Sequence, residues 1–319
     1  MRTIFLLLGL LVVIACFAMD FERPEKSERL GAIGPTKGLS ETLRQAFDPG
    51  TDFDPIPVPG PTDWLAQHPE PGQTFEDFVG SNPNRPDAIR NKIYLQPLGV
   101  FQEDQSPSID LLRDFTIAYF AMDVKVLPPM DISGAEFVTR INPYTGNRQI
   151  LSSHILAFLK KGLPRDAFCL LAITMDDLYP HPSWNFVFGQ ASLHDRVGVF
   201  SFARYDPEFY GEPRGKEYHQ LLLRRSLKVL VHETTHMFTL NHCIFFKCVM
   251  NGSNHLKESD SRPLHLCPVC LRKLQFSIEF DVAGRYDKLL QFYHKVGFKD
   301  ENRWVSNRLK KILGSEKGK

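Results

Sequence analysis

The stretch 232–270 constrains this chain more than any other part of it. Eight side chains that bind metals or move protons fall within it: His232, Glu233, His236, His242, Cys243, Cys248, Cys267 and Cys270. His232 and His236 lie four residues apart in a segment of helical period, so both leave the same face and can meet one ion. Glu233 projects about 100° round the helix from His232, where it can reach an ion-bound water without displacing it. The preceding residues 216–231 read as the start of that helix. Leu223, Leu227, Leu230 and Val231 form its buried stripe, with Arg224, Arg225 and Lys228 on an opposite, solvated side.

His242 lies six residues beyond His236. A continued helix would carry it about 9 Å along the axis and about 240° round. A shared ion therefore requires a sharp turn within 237–241. Three neutral imidazoles leave a tetrahedral zinc one open position, the arrangement of a catalytic rather than a structural site. Zinc so held lowers the pKa of water and polarises a carbonyl, and Glu233 is placed to act as general base. A bare HExxH arises by chance; the third histidine is what makes the metal reading specific.

Cys243 and Cys248 form one pair and Cys267 and Cys270 a second. Two short-spaced pairs fit a closed tetrathiolate zinc, which is structural because no position remains for water. Two disulfides are the alternative, and the Cys-Pro-Val-Cys knuckle favours the metal. Six cysteines in the chain, four of them clustered, point to metal use rather than to a disulfide scaffold.

The composite of 232–236 (HETTH), His242, the four cysteines and Met250, two residues after Cys248, resembles the archaemetzincins, a family of metzincin type. The likeness continues through 251–256 (NGSNHL) and 262–267 (RPLHLC). Upstream it takes in 166–170 (DAFCL), 177–180 (DLYP) and 183–192 (SWNFVFGQAS). Within the family the chain is most similar to the second of two vertebrate branches. The resemblance implies a zinc metallopeptidase with a mixed α/β (α+β) fold: a twisted sheet, an active-site helix and a C-terminal helical subdomain stabilised by a four-cysteine zinc. It implies two zinc ions, one catalytic and one structural, with Met250 as the apolar turn beneath the catalytic one. It also implies that the hairpin within 185–203 supplies an edge strand that pairs with extended substrate. Short peptides are the implied substrates, with removal of N-terminal residues as one mode.

At one position the chain departs from the family. Where the family has glycine three residues after the second histidine, this chain has Thr239. Glycine leaves a helix easily through a left-handed residue, whereas a β-branched side chain is strained there by about 1 kcal/mol or more. Two outcomes are expected: Thr239 keeps ordinary angles and Asn241 makes the turn, or His242 is displaced. Thr239 also motivates the alternative function, a catalytically silent, zinc-stabilised binding protein.

Residues 1–19 read as a signal peptide, with Arg2 before an apolar run at 4–15. Residues 13–16 also fit a lipobox, with Cys16 lipidated; the other reading is a cut after Ala18. The leader implies a secreted or periplasmic protein that meets a membrane only through a lipid on Cys16, or a cytoplasmic one if the leader does not act. Residues 20–91 are rich in proline and glycine and read as a linker or propeptide-like segment. It carries an extended spacer at 54–61 and short helices near 40–47 and 63–67. No cysteine lies between Phe17 and Phe168, so a propeptide there would have no thiolate latch.

Residues 92–319 read as the catalytic domain. Strands are expected at 92–96, 124–127 and 167–174, and helices at 108–122 and 150–160. Asp176 and Asp177 read as a turn carrying two solvated acids, and His181, His194 and His219 as surface residues. Helices at 271–276, 282–296 and 303–313 complete the chain. A net charge of +1 gives no ground for a nucleic-acid partner, and the tail lysines have no interleaved aromatic residues. The expected partner is a peptide substrate, met by a monomer.

Overall fold

The computed structural model describes residues 21–134 and 137–314; the leader at 1–19, with its Cys16, lies outside the described residues. The organising strand is Ala167–Thr174, apolar up to its final threonine and buried at every position. Such a run suits an inner strand covered on both faces. It lies at the centre of a five-stranded sheet in the order Asp123–Val126, Lys92–Leu98, Ala167–Thr174, Val197–Ser201, Gly189–Ser192. The first four strands run parallel, and only Gly189–Ser192, at one edge, is antiparallel to its neighbour.

Alternation along the strands divides the core. Ile93, Leu95, Cys169, Leu171 and Ile173 face the larger side, where the helices Ile109–Phe120, Tyr218–His236 and Val282–Val296 add Phe115, Leu227 and Phe292. Tyr94, Leu98, Leu170, Ala172 and Val199 face the smaller side, covered by Ile155 and Leu159 of the helix Ser152–Lys161. The mixed α/β architecture matches the expectation, and Ser108 caps the helix Ile109–Phe120 through Leu111 N–H.

Two local expectations are corrected. Ile150 belongs to a strand, Arg148–Leu151, in a second sheet with Thr139–Ile141 and Asp177–Tyr179, and the helix begins only at Ser152. Ile150 pairs on both sides and is fully buried, which outweighs its place in a helical pattern. Asp177 is not solvated. It is buried in a two-bond fork with Arg204 at 2.8 Å and accepts from Gln149 at 2.8 Å. Asp176 is partly buried, and burial raises its pKa above the ordinary carboxylate value.

Residues 21–91 hold four short helices, Lys26–Ile33, Glu41–Phe47, Trp64–Gln67 and Phe75–Gly80, and Ile33, Phe47 and Phe78 join the main core. Helix C-termini leave carbonyls unpaired and partly negative. Arginines of the C-terminal helices occupy them. Arg272 of Pro268–Ile278 donates to Ile33 and Pro35 carbonyls, and Arg308 of Lys299–Gly314 donates to those of Gln45, Ala46 and Asp48. The extended spacer is also tied down: Ile56 N–H reaches Phe245 O at 3.3 Å and Lys247 N–H reaches Asp54 O at 2.9 Å.

Candidate metal centre and cleft

The helix Tyr218–His236 delivers His232, Glu233 and His236, then tightens into a single turn in which Thr239 N–H bonds His236 O at 2.8 Å. Thr239 itself takes the left-handed conformation, with φ 69°. Neither expected outcome holds: Thr239 does not keep ordinary angles, and His242 is not displaced. Residues from the N-terminal segment hold the strained turn. Asn84 N–H donates to Thr239 Oγ1 at 3.0 Å, and Gln73 Nε2 donates to Thr239 O at 3.3 Å. Asn241 N–H donates to Gln73 Oε1 at 3.1 Å, and Asn84 Nδ2 donates to Met237 O at 3.0 Å.

The turn brings His242 back to the helix. One ring nitrogen from each of His232, His236 and His242 lies within 4.8 Å of the others. Each ring is fixed from behind: His232 Nδ1 by Val249 O at 2.8 Å, His236 Nδ1 by Leu240 O at 2.6 Å, and His242 Nδ1 by Glu70 Oε1 at 2.8 Å. Carbonyl and carboxylate oxygens only accept, so each Nδ1 carries a proton, which in the neutral imidazole leaves the lone pair on Nε2. His232 Nε2 and His236 Nε2 then face one another at 3.1 Å, two lone pairs with no proton between them. Tetrahedral zinc with bonds near 2.0 Å sets its ligand nitrogens about 3.3 Å apart. The residues present fit the ion.

Burial lowers the pKa of His232 well below its ordinary value and that of His236 to about 4, which keeps both in the neutral, ligating form. Burial pushes Glu233 the other way, up to about 7. Glu233 and the triad open onto a cavity of about 400 Å³, bounded on one side by the edge strand Gly189–Ser192. Gly189 keeps this wall close to the strand behind it. A Cβ at this position would lie 3.0 Å from Val199 O and 3.5 Å from the Glu233 carboxyl carbon. Trp64 closes another side, edge-on to His242 with ring centroids 5.1 Å apart, and its Nε1 donates to Glu70 at 2.7 Å.

The four clustered cysteines are free and buried, with one Sγ from each within 4.8 Å of the rest. Cys243 and Cys267 sulfurs lie 3.5 Å apart, far beyond a disulfide bond and close to the roughly 3.8 Å edge of a zinc tetrathiolate. Asn251 knits the loop between the two centres. Its Oδ1 accepts Cys248 N–H at 2.8 Å, and its Nδ2 donates to Cys243 O at 2.7 Å and Phe246 O at 3.0 Å. Met250 is fully buried and its carbonyl accepts Cys243 N–H, while the adjacent Val249 carbonyl orients His232.

Arg224, Arg225 and Lys228 are not on a solvated face. Arg224 pairs with Glu301 at 2.8 Å, Arg225 with Asp260 at 2.7 Å, and Lys228 is buried on the cavity wall. The chain after the cysteine loop folds over that side of the helix, which helical periodicity alone does not register. Glu70 and Trp64 escape sequence reasoning because they sit in a proline-rich stretch with no spacing that points at His242. A third cluster, Asp63, His255 and Glu258, has its acceptors engaged: Glu258 takes Trp64 N–H and Asn254 N–H, and Asp63 takes His255 Nε2. It ties the N-terminal segment to the cleft wall.

Residues 138–276 match the family model described as Peptidase family M54. Archaemetzincin-2 of Macaca fascicularis is 44% identical over 80% of this chain and 79% of its own length. Archaemetzincin-1 of Mus musculus is 34% identical over 81% of this chain and 57% of its own. A crystal structure of archaemetzincin from Archaeoglobus fulgidus, complexed with malonate, matches at 30% identity over 57% of this chain and 99% of that one, with a TM-score of 0.44. With relatives of this identity spanning most of its length, the chain belongs to the archaemetzincins, the zinc metallopeptidases of peptidase family M54.

Proposed function

We propose that the chain hydrolyses short peptides in the cleft beside the histidine triad, with trimming of amino-terminal residues as one mode. His232, His236 and His242 hold one zinc, and Cys243, Cys248, Cys267 and Cys270 hold a second, structural one. Bound zinc supplies an electrophile for the scissile carbonyl and brings the pKa of water toward neutrality. Glu233 accepts the proton of the attacking water and passes it to the leaving nitrogen. The edge strand Gly189–Ser192 offers its open side to an extended peptide, and a cavity of about 400 Å³ suits a few residues rather than a folded domain.

The observation that carries this reading is the pair of facing Nε2 lone pairs at 3.1 Å, with all three Nδ1 atoms tied from behind. The silent-binder alternative was motivated by Thr239, and the convergence of the three rings despite that residue supports the peptidase reading. The test is Glu233→Ala at unchanged zinc content. Loss of peptide hydrolysis by about two orders of magnitude or more supports the general-base role, and undiminished turnover rejects it.

A further inference from the structure

Lys228 precedes His232 by one helical turn on the same face, about 6 Å back along the axis, and lines the same cavity. Its buried ammonium donates only to two backbone carbonyls, Ser259 O at 3.1 Å and Asp260 O at 2.9 Å, leaving the third of its donors unused. Arg262 lines the same wall. Its guanidinium donates to Asn251 O and Ser253 Oγ, and its buried Nε has no partner.

Among the described residues, no carboxylate oxygen lies within 4.0 Å of either cation. Of the nearby acids, Asp260 is paired with Arg225, Glu258 accepts the N–H groups of Trp64 and Asn254, and Glu233 shares the cavity without forming an ion pair with either cation. Burying a cation without a counter-charge is costly, by several kcal/mol per ion in real proteins. Here Lys228 is buried and Arg262 partly so, and both line the cavity that holds Glu233 and the histidine triad. Neither cation has a carboxylate of the described residues in direct contact.

We propose that Lys228 and Arg262 form a carboxylate-binding subsite, which selects peptides carrying a carboxylate within one residue of the scissile bond. This rests on the peptidase reading for the identity of the ligand, and its chemistry is the same whether the carboxylate is a free C-terminus or an acidic side chain. A carboxylate there supplies the missing charge-assisted hydrogen bonds to the open ammonium and guanidinium donors. It also gives a short peptide a fixed distance from its anchor to the bond that is cut.

The test measures binding apart from turnover, by titrating four dipeptides into zinc-loaded full-length Glu233→Ala: Ala-Glu, Ala-Gln and their C-terminal amides. A carboxylate bonded to both cations is expected to tighten binding at least about tenfold over the Ala-Gln amide. If the C-terminus is the source, both free acids gain; if the side chain is, the Ala-Glu amide gains over the Ala-Gln amide. The gain should shrink to less than about threefold when Arg262→Gln or Lys228→Met is added. Lys228→Met keeps the helix and the packing, so a folding defect of the Arg262 variant would not end the test. Equal affinity for all four peptides, or a preference that survives both substitutions, overturns the subsite. Should the wild type cleave none of the four while the preference is present, the peptidase reading fails and the carboxylate site stands.

Discussion

Asn84 donates its backbone N–H to the hydroxyl of Thr239 at 3.0 Å, joining the N-terminal segment to the turn that returns His242 to the helix. A β-branched residue at φ 69° carries strain of order 1–3 kcal/mol, and a hydrogen bond returns about 1 kcal/mol of it. Threonine, unlike valine, can offset part of its own strain here.

Thr239→Val keeps the branched Cβ and leaves the Asn84 N–H without its acceptor. It should destabilise the protein by about 1–2 kcal/mol. Thr239→Gly relieves the strain while losing the same bond, so its stability should stay within about 1 kcal/mol of wild type. Urea unfolding midpoints of the two variants separate these outcomes. Peptide cleavage by the glycine variant should match wild type within a few fold, because His242 is already in place.

Glu70 fixes the His242 ring and also accepts Trp64 Nε1–H. Partners behind a metal-binding imidazole typically contribute about 10–100-fold in metal affinity. Glu70→Ala should lower zinc affinity at the histidine centre by that order, while the four cysteines keep theirs. Competition with a graded series of chelators would read the two sites separately.

The chemistry was legible in the sequence to an unusual degree because it is local. HETTH, His242 and the four cysteines lie within one stretch, and short spacings translate directly into shared faces and turns. The strand Ala167–Thr174 was equally plain, since a continuous apolar run needs cover on both faces. What stayed hidden was contributed across the fold. Glu70 meets His242 from 172 positions away, and Gln73 meets Asn241 from 168. Lys228 looks solvated by helical period, yet residues 259–260 close over it. Thr239 was misjudged because intrinsic backbone preference was weighed without the Asn84 and Gln73 contacts that override it.

Asp195 holds the turn before the strand Val197–Ser201, accepting from Ser192 Oγ at 3.0 Å and pairing with Lys160 at 2.9 Å. The Lys160 bond, then the one to His194, lowers its pKa from 3.8 to about 2. A lowered folded-state pKa means that the unfolded chain takes up the proton first. The stabilisation is therefore complete above about pH 4 and is lost as pH falls through about 2. Asp195→Asn should be less stable than wild type at neutral pH, with the difference closing between these values. Parallel unfolding curves across acid pH would show it, and a difference constant down to pH 2 would contradict it.

Asn251 satisfies one buried N–H and two buried carbonyls between the two centres. Asn251→Ala should cost about 2–4 kcal/mol, since each orphaned group costs of order 1–3 kcal/mol with partial relaxation. The clustered thiols should become reactive at lower denaturant than in wild type, which a thiol-labelling titration would detect.

The proposed function requires two separate zinc centres in one chain. Elemental analysis of the purified protein, with free-thiol counting alongside, reads both at once. About two zinc ions per chain, with the four clustered cysteines protected from labelling, is the predicted result. One zinc with those cysteines protected would mean that His232, His236 and His242 do not hold an ion despite their convergence, and would contradict a catalytic zinc centre.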